Sequence, residues 1–484
     1  MSEANPLEEI QLEEAPVSHD FIVGPILKTL VLFSLPTLGT NLLQSFGMTA
    51  NAIWIGQLLG EEALAATASA NMVMFLAFTA VWGFSLATNV KMGQFYGAGD
   101  YVSARRSFGA GIGFCVGLSL IVAVIGWIFT DEVLRLLSTP PQIRHFARDY
   151  LRITFISMPF STFSMLIGVG LRSAGDAKTP FYAMILTSVL SIVLNPLLIL
   201  GLGPFPELGI TGSALTMTLA NFLGALAMIA WIYWRDLPMR MRGNDFAFLW
   251  PNGEDLSYMV TKGVPMGGMM VISSSATLVM LGLVNREGAL TAAAYGAMIQ
   301  VWNYIQMPAM AVSITVSAMA AQNIGAGRHD RVAQTVSAGL GVSTALTVGL
   351  FVVLIALADP ILALFLGKGS KAIPLAEHIQ LVTSWSYILN GLMMIMVGVL
   401  RSYGVVMISM VISALSLYAA RLAFYFLLYP AIGVEALWLS FDFGALVALV
   451  LTWLAYSRGS WRPRFGLPRT ASFSLHAPAG EGAN

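Results

Sequence analysis

Charge is scarce in this sequence. Only 10% of its 484 residues are Asp, Glu, Lys or Arg, while 57% are hydrophobic and the mean hydropathy is +0.76. Soluble domains carry about a quarter charged residues, so the composition predicts a helical integral membrane protein. Its apolar stretches are roughly 20 residues or longer, which excludes the short alternating strands of an outer-membrane barrel. The formal net charge is zero, so no nucleic-acid partner is indicated.

Cysteine, histidine and nucleotide-binding signals are scarce or absent too. Cys115 is the only cysteine, so no intrachain disulfide can form. None of the five histidines lies in the middle of an apolar segment, so a buried histidine proton relay is not expected. Residues 1–20 are acidic and lack an apolar core, so no cleavable signal peptide is expected. No Gly-x-x-x-x-Gly-Lys-Ser/Thr loop occurs, which argues against ATP-driven pumping by this chain alone.

Twelve apolar segments organise the chain into two halves. They fall at about 26–57, 63–95, 107–129, 147–172, 180–203 and 211–234, and at about 256–284, 290–321, 332–357, 374–401, 406–428 and 435–457. The sequence therefore predicts an N-lobe over 26–234, a cytoplasmic linker over 235–255 and a C-lobe over 256–457. A disordered acidic lead is predicted over 1–25 and a cytoplasmic tail over 458–484.

Lys and Arg are concentrated in the turns after segments 2, 4, 6, 8 and 10 and in the C-terminal tail. The positive-inside rule therefore predicts a multi-pass protein with both termini in the cytoplasm. The expected location is the cell (inner) membrane.

The second half repeats the first. Residues 94–100, with the order Gln, Phe, Tyr, Gly, Ala, Gly, Asp, return about 228 residues later as 322–328. Pro36 likewise matches Pro265. Because six spans per half is an even number, the halves have the same orientation, which is typical of secondary transporters with a substrate path between them. A duplicated scaffold without transport is the alternative.

The motifs resemble one family. Residues 94–100 with Arg105, residues 171–180, residues 194–198 and residues 322–331 are similar to multidrug and toxic compound extrusion (MATE) transporters of bacterial type, and the resemblance covers about 26–462. It implies an all-α polytopic membrane protein whose two parallel-repeat six-helix lobes form a V around a central cavity. It also implies export of bulky, often cationic compounds in exchange for protons or sodium ions, with no other cofactor. The implied partners are small organic substrates and the lipid bilayer, and no obligatory protein partner is evident.

The acidic residues that usually couple such transporters to an ion gradient are missing here. Positions that resemble the family's coupling sites hold Asn51, Asn195, Ser273 and Asn390. An Asn carbonyl can ligate sodium, but an Asn amide cannot exchange a proton near neutral pH. The asparagines are therefore interpreted either as substrate or ion ligands or as interhelical hydrogen-bonding groups.

Asp442 is the one carboxylate placed well inside a segment. It and Arg421 lie at similar depths in consecutive segments, so they form a possible coupling pair. A static ion pair and a protonation switch that releases Arg421 both remain open.

Amides and flexible or aromatic side chains suggest a substrate path, and ordinary packing or lipid contact is the alternative. The path candidates with the asparagines above are Gln44, Asn71, Gln300, Trp302, Asn303 and Gln306. Pro36 and Pro265 are interpreted either as plain kinks or as hinges for alternating access.

Two other functions compete with drug export. A lipid-linked precursor flippase of the same superfamily often uses a strongly cationic cavity, and intramembrane Lys and Arg are scarce here. An intramembrane enzyme is not expected, because the sequence lacks His-Glu-x-x-His and any paired catalytic groups within a segment.

Overall fold

Twelve helices long and apolar enough to cross a membrane dominate the computed structural model, which describes residues 21–459. In the first half, α1 to α6 are Ile26–Leu59, Glu61–Gly97, Tyr101–Ile128, Pro141–Ser173, Lys178–Leu200 and Gly209–Trp234. In the second half, α7 to α12 are Gly253–Arg286, Ala289–Gly325, His329–Ala356, Ile373–Ser402, Met407–Ile432 and Glu435–Arg458. No strand occurs between residues 21 and 459. The predicted all-helical class with twelve spans is confirmed.

Several helices extend beyond their apolar segments because polar residues cap them. The Asp100 carboxylate accepts a 2.9 Å hydrogen bond from the Ser103 amide, so α3 begins at Tyr101 and not near residue 107. The Asn252 side chain accepts a 2.7 Å hydrogen bond from the Asp255 amide, so α7 begins at Gly253, inside the stretch predicted as linker.

The two Gly-Ala-Gly turns have the same backbone conformation. Gly99 has a φ of +74° and Gly327 a φ of +71°, in the left-handed region that favours glycine. Each turn therefore closes one long helix and opens the next, which places α2 and α8 at corresponding positions of the two lobes.

The linker between the lobes is docked. Its 3-10 helix Gly243–Leu249 packs on α3 so closely that a methyl group built on Gly113 would lie 1.6 Å from the Leu249 carbonyl oxygen. The segment that precedes the C-lobe therefore rests on the N-lobe.

The segment that precedes α1 is docked as well, on the C-lobe. Phe21 is buried, and its carbonyl accepts a 3.0 Å hydrogen bond from Asn323 at the end of α8. The carbonyls of Ile22 and Gly24 accept hydrogen bonds from Arg328 and Arg331. The expectation of a disordered lead over 1–25 is therefore wrong for residues 21–25, because buried aromatic packing and three hydrogen bonds hold them. Residues 1–20, like 460–484 of the tail, lie outside the described residues.

Candidate functional site

The lobes meet along α1 and α2 of the N-lobe and α7 and α8 of the C-lobe. A methyl group built on Gly83 of α2 would lie 2.4 Å from the backbone nitrogen of Gly267 in α7. Ser34 of α1 donates a 3.0 Å hydrogen bond to Thr315 of α8, and both side chains are buried. These contacts lie in the half of each helix nearer the Gly-Ala-Gly turns. We call this closed region, from Gly83 and Thr315 to the turns, the inner seam.

Two glutamines join the lobes at the end of the inner seam. The side-chain nitrogen of Gln94 in α2 donates a 2.7 Å hydrogen bond to the Ser402 carbonyl at the end of α10. That of Gln322 in α8 donates a 2.7 Å hydrogen bond to the Ser173 carbonyl at the end of α4. Both glutamines are buried, so each satisfies a helix-end carbonyl of the opposite lobe. The repeated glutamine therefore makes the same cross-lobe bond twice.

The first glycine of each turn allows these bonds to form. A methyl group on Gly97 would lie 1.8 Å from the Gln322 carbonyl oxygen, and one on Gly325 would lie 1.8 Å from the Gln94 carbonyl oxygen. Any side chain at either position would collide with the opposite helix. The two copies of the repeated motif are thus in direct contact with each other.

An ion pair at the seam was missed from the sequence. Lys91 of α2 lies 2.7 Å from the Asp255 carboxylate of α7, and the other carboxylate oxygen lies 3.4 Å from Arg106 of α3. The Lys91 ammonium also lies 5.0 Å from the ring centre of Tyr258. The sequence does show a lysine inside an apolar segment. It does not show that the partner of this lysine lies 164 residues away.

Beyond the inner seam the same helix faces are exposed. Phe75 and Met72 lie 22 and 25 residues before Gly97, and Asn303 and Gln300 lie 22 and 25 residues before Gly325. These spacings are close to whole turns of a 3.6-residue helix, so all four side chains continue the faces that meet in the seam. Phe75 and Met72 are 54% and 53% exposed, and Asn303 and Gln300 are exposed too. None of the cross-lobe hydrogen bonds and ion pairs among residues 21–459 lies in the outer halves of these helices, and we call the space between them the outer cleft.

The other path candidates are distributed differently. Gln44, Asn71 and Ser273 are exposed on α1, α2 and α7. Trp302 instead packs edge-on against Tyr387 inside the C-lobe, with ring centres 4.5 Å apart. Gln306 is half-buried, and both of its amide atoms are enclosed without a hydrogen-bond partner among the described residues. Of the amides on α8, Gln300 and Asn303 thus lie at the cleft surface, and Gln306 lies beside it.

The two N-lobe asparagines bind each other. The Asn51 side-chain oxygen accepts a 3.0 Å hydrogen bond from Asn195 of α5 and a 2.7 Å hydrogen bond from Ser213 of α6. Asn51 is 5% exposed, and the other two are fully buried. The side-chain oxygen of Asn195 has no hydrogen-bond partner among residues 21–459. This cluster joins three helices through groups that do not titrate near neutral pH.

Arg421 and Asp442 have separate partners. The Arg421 guanidinium carbon lies 3.5 Å from the ring centre of Phe441, and Asp442 accepts a 2.7 Å hydrogen bond from the backbone amide of Ser386 in α10. No ion pair within 4 Å joins the two charges in the described part of the chain. Asn390 donates a 2.8 Å hydrogen bond to the Ser386 carbonyl, one turn away. A coupling role for the pair stays a prediction.

Pro36 divides α1 between the two lobes. On its inner side, Leu30 and Phe33 are buried in a cluster built mainly from C-lobe residues. On its outer side, Asn51 belongs to the N-lobe cluster. Because proline removes one helical hydrogen bond, the joint between these two attachments is locally weak.

Pro265 divides α7 in the corresponding way. On its inner side, Asp255 pairs with Lys91 and Gly263 packs against Phe84 of α2, whereas Met280 and Val284 toward the outer end belong to the C-lobe core. Each lobe's first helix therefore begins on the opposite lobe and crosses over near its proline.

The chain is similar to known membrane transporters. The MatE family model matches residues 36–197 and 265–427, which are corresponding parts of the two halves. The probable multidrug resistance protein YoeA of Bacillus subtilis is 32% identical over 439 residues, covering 90% of this chain and 94% of its own. The FAD transporter of Shewanella oneidensis is 27% identical over 397 residues, covering 82% and 86%. The crystal structure of the Vibrio cholerae MATE transporter VcmN in its bent form superimposes with a TM-score of 0.83 at 20% identity, covering 90% of this chain and 97% of that one.

Proposed function

The chain belongs to the MatE family of transporters, and from this premise we propose that it exports amphipathic organic compounds through the outer cleft by alternating access. The observation that carries the proposal is the contrast along α2 and α8. The seam-facing side of α2 is closed at Gln94 and exposed at Met72. The seam-facing side of α8 is likewise closed at Gln322 and exposed at Gln300. A two-lobed transporter needs such a state, closed to one side and open to the other.

The direction of transport follows from the charge bias. The inner seam lies beside the Lys- and Arg-rich turns, which the positive-inside rule assigns to the cytoplasm. The arrangement is then an outward-open state, ready to release cargo. Export requires the inner seam to open in turn.

Multidrug cargo suits the surface of the outer cleft. Met72 and Phe75 offer adaptable apolar contact, and Gln300 and Asn303 offer hydrogen bonds without fixed charge. The similarity to YoeA supports a broad range of organic compounds. The similarity to an FAD transporter suggests a phosphate-bearing cargo, as the flippase alternative does. Neither an FAD-like cargo nor a lipid-linked cargo is favoured, because such cargo carries phosphate. No Lys or Arg lies in the outer halves of α1, α2 and α8 to bind phosphate, and α7 carries only the terminal Arg286.

The coupling ion is a proton or a sodium ion, and the C-lobe is the better place to couple it. The N-lobe cluster around Asn51 cannot bind and release a proton. Asp442 can, and its single hydrogen bond from Ser386 leaves room for a changing protonation state. Loss of its charge would leave the nearby Arg421 without compensation, which gives the α11–α12 pair two states.

The test is transport by purified protein in liposomes under an imposed pH or sodium gradient. It is scored for a cationic dye, a neutral dye and a lipid-linked sugar. We expect gradient-dependent movement of at least one dye and none of the lipid-linked sugar. The Asp442→Asn variant should lose gradient-driven transport while its expression and thermal stability persist. Transport of the sugar alone would replace the proposal with a flippase, and unchanged transport by Asp442→Asn would remove the coupling role of Asp442.

A further inference from the structure

The four helices that line the outer cleft contain no charged residue through most of their length. The uncharged stretches are residues 29–60 of α1, 63–90 of α2, 263–285 of α7 and 288–327 around α8. Charges occur only at the ends of these stretches. They are Glu61, Glu62, Arg286 and Glu287 at the mouth, and Lys28, Lys91, Lys262 and Arg328 at the inner ends. Arg421 and Asp442 lie on α11 and α12 of the C-lobe, outside these stretches.

An uncharged wall disfavours a compact cation. Moving a charge from water into a cleft flanked by apolar helices costs free energy unless an opposite charge faces it. Here no carboxylate lies on the cleft-lining stretches to supply that compensation. A neutral molecule meets no such cost.

The two walls of the cleft also differ in chemistry. Met72 of α2 and Gln300 of α8 occupy the same position of the repeat, as do Phe75 and Asn303. The duplication has therefore placed an apolar pair on α2 of the N-lobe at the positions where α8 of the C-lobe carries an amide pair. All four side chains are exposed.

We propose that the outer cleft selects electrically neutral cargo that has an apolar side, held by Met72 and Phe75, and a hydrogen-bonding side, held by Gln300 and Asn303. The inference rests on the proposed function for the location of the cargo and adds the chemical class of that cargo. It also assigns the two amides and the two apolar residues as specificity determinants.

Binding to the purified full chain in lipid nanodiscs tests the class without requiring transport. The probes are acridone, a neutral three-ring compound with one carbonyl and one N–H, and N-methylacridinium, a three-ring compound with a permanent positive charge and neither of those two groups. Signals from empty nanodiscs are subtracted. We expect acridone to bind at least about tenfold more tightly than N-methylacridinium.

Three variants separate charge from hydrogen bonding. Gln300→Met with Asn303→Phe copies the N-lobe wall onto the C-lobe and should weaken acridone binding about tenfold, since two hydrogen bonds are lost. Adding Met72→Gln and Phe75→Asn exchanges the two pairs of side chains. This variant should recover most of the acridone binding, because acridone can bind in the reversed orientation. Met72→Glu alone should strengthen N-methylacridinium binding.

These binding results can be distinguished from a failure of the protein to export cargo. Tighter binding of N-methylacridinium than of acridone by the unmodified chain would overturn the selection of neutral cargo. So would full acridone binding after loss of both amides, or no recovery in a wall-exchanged variant that remains monodisperse. Binding of acridone as expected, together with no transport in liposomes, would keep the inference about the site and reject export.

Discussion

Removing the two cross-lobe glutamines should open the inner seam. Gln94 and Gln322 each donate one buried 2.7 Å hydrogen bond to a helix-end carbonyl of the other lobe, at Ser402 and Ser173. Truncation to alanine removes the bond and leaves a poorly solvated carbonyl, at a cost of about 1–2 kcal/mol per site. The cost falls on the closed state alone, because water can reach both groups once the lobes separate. Since 1.4 kcal/mol corresponds to about tenfold in an equilibrium, each variant should raise the open population by roughly five- to thirtyfold.

Thiol labelling measures that population directly. Cys115 is fully buried, so the unmodified chain offers little background reactivity. A reporter introduced as Ala321→Cys lies in the seam beside Gly93, where it is shielded while the lobes are closed. The labelling rate of the reporter should rise about tenfold with Gln94→Ala and further with Gln322→Ala added.

A matched control removes a buried glutamine elsewhere. Gln380 of α10 is 1% exposed and lies outside the seam, so Gln380→Ala should leave the reporter's labelling rate unchanged. The reasoning is refuted if the double variant labels no faster than the unmodified background, or if Gln380→Ala accelerates labelling equally.

Three further predictions concern the helices around the seam. Gly97→Ala should prevent tight closure, because its methyl group would lie 1.8 Å from the Gln322 carbonyl oxygen, and should lower the thermal midpoint of unfolding. Pro36→Ala should restore a helical hydrogen bond in α1, so we expect slower dye efflux with an unchanged or higher midpoint. Asn51→Asp should be tolerated, since Asn195 and Ser213 both donate to this position, and should make efflux depend on pH where the unmodified N-lobe cluster does not titrate.

The sequence was sufficient for features that repeat or depend on composition. Apolar segments of membrane-spanning length predicted all twelve helices, and the recurrence of residues 94–100 at 322–328 identified the duplicated unit. The spacing of Gln300 and Asn303 along one helix is likewise sufficient to place both on one face.

Partners distant in sequence could not be predicted in the same way. Asn51 and Asn195 were separate candidates, and nothing in their spacing indicated the hydrogen bond between them. The match of Arg421 and Asp442 in depth suggested a direct ion pair, but depth does not fix rotation about the helix axis. Arg421 stacks on the neighbouring Phe441 instead. Partner choice is decided by how helices rotate and cross, which a single sequence does not record.

The docking of residues 21–25 on the C-lobe was missed for a related reason. A short apolar stretch next to an acidic lead has the composition of a tail, and its acceptors are backbone carbonyls that have no sequence signature. Arg328 and Arg331 were visible as a basic cluster, but the same cluster is expected at any cytoplasmic turn.

A disulfide across the inner seam is the most direct test of cargo movement between two lobes that alternate. Ser34 of α1 and Thr315 of α8 are buried with their hydroxyl oxygens 3.0 Å apart, so a Ser34→Cys, Thr315→Cys pair can form a bond without moving the backbone far. Oxidised protein in liposomes should lose dye transport, reductant should restore it, and each single variant should remain active. Full transport by quantitatively cross-linked protein would contradict the account, because cargo would then cross while the seam stays closed.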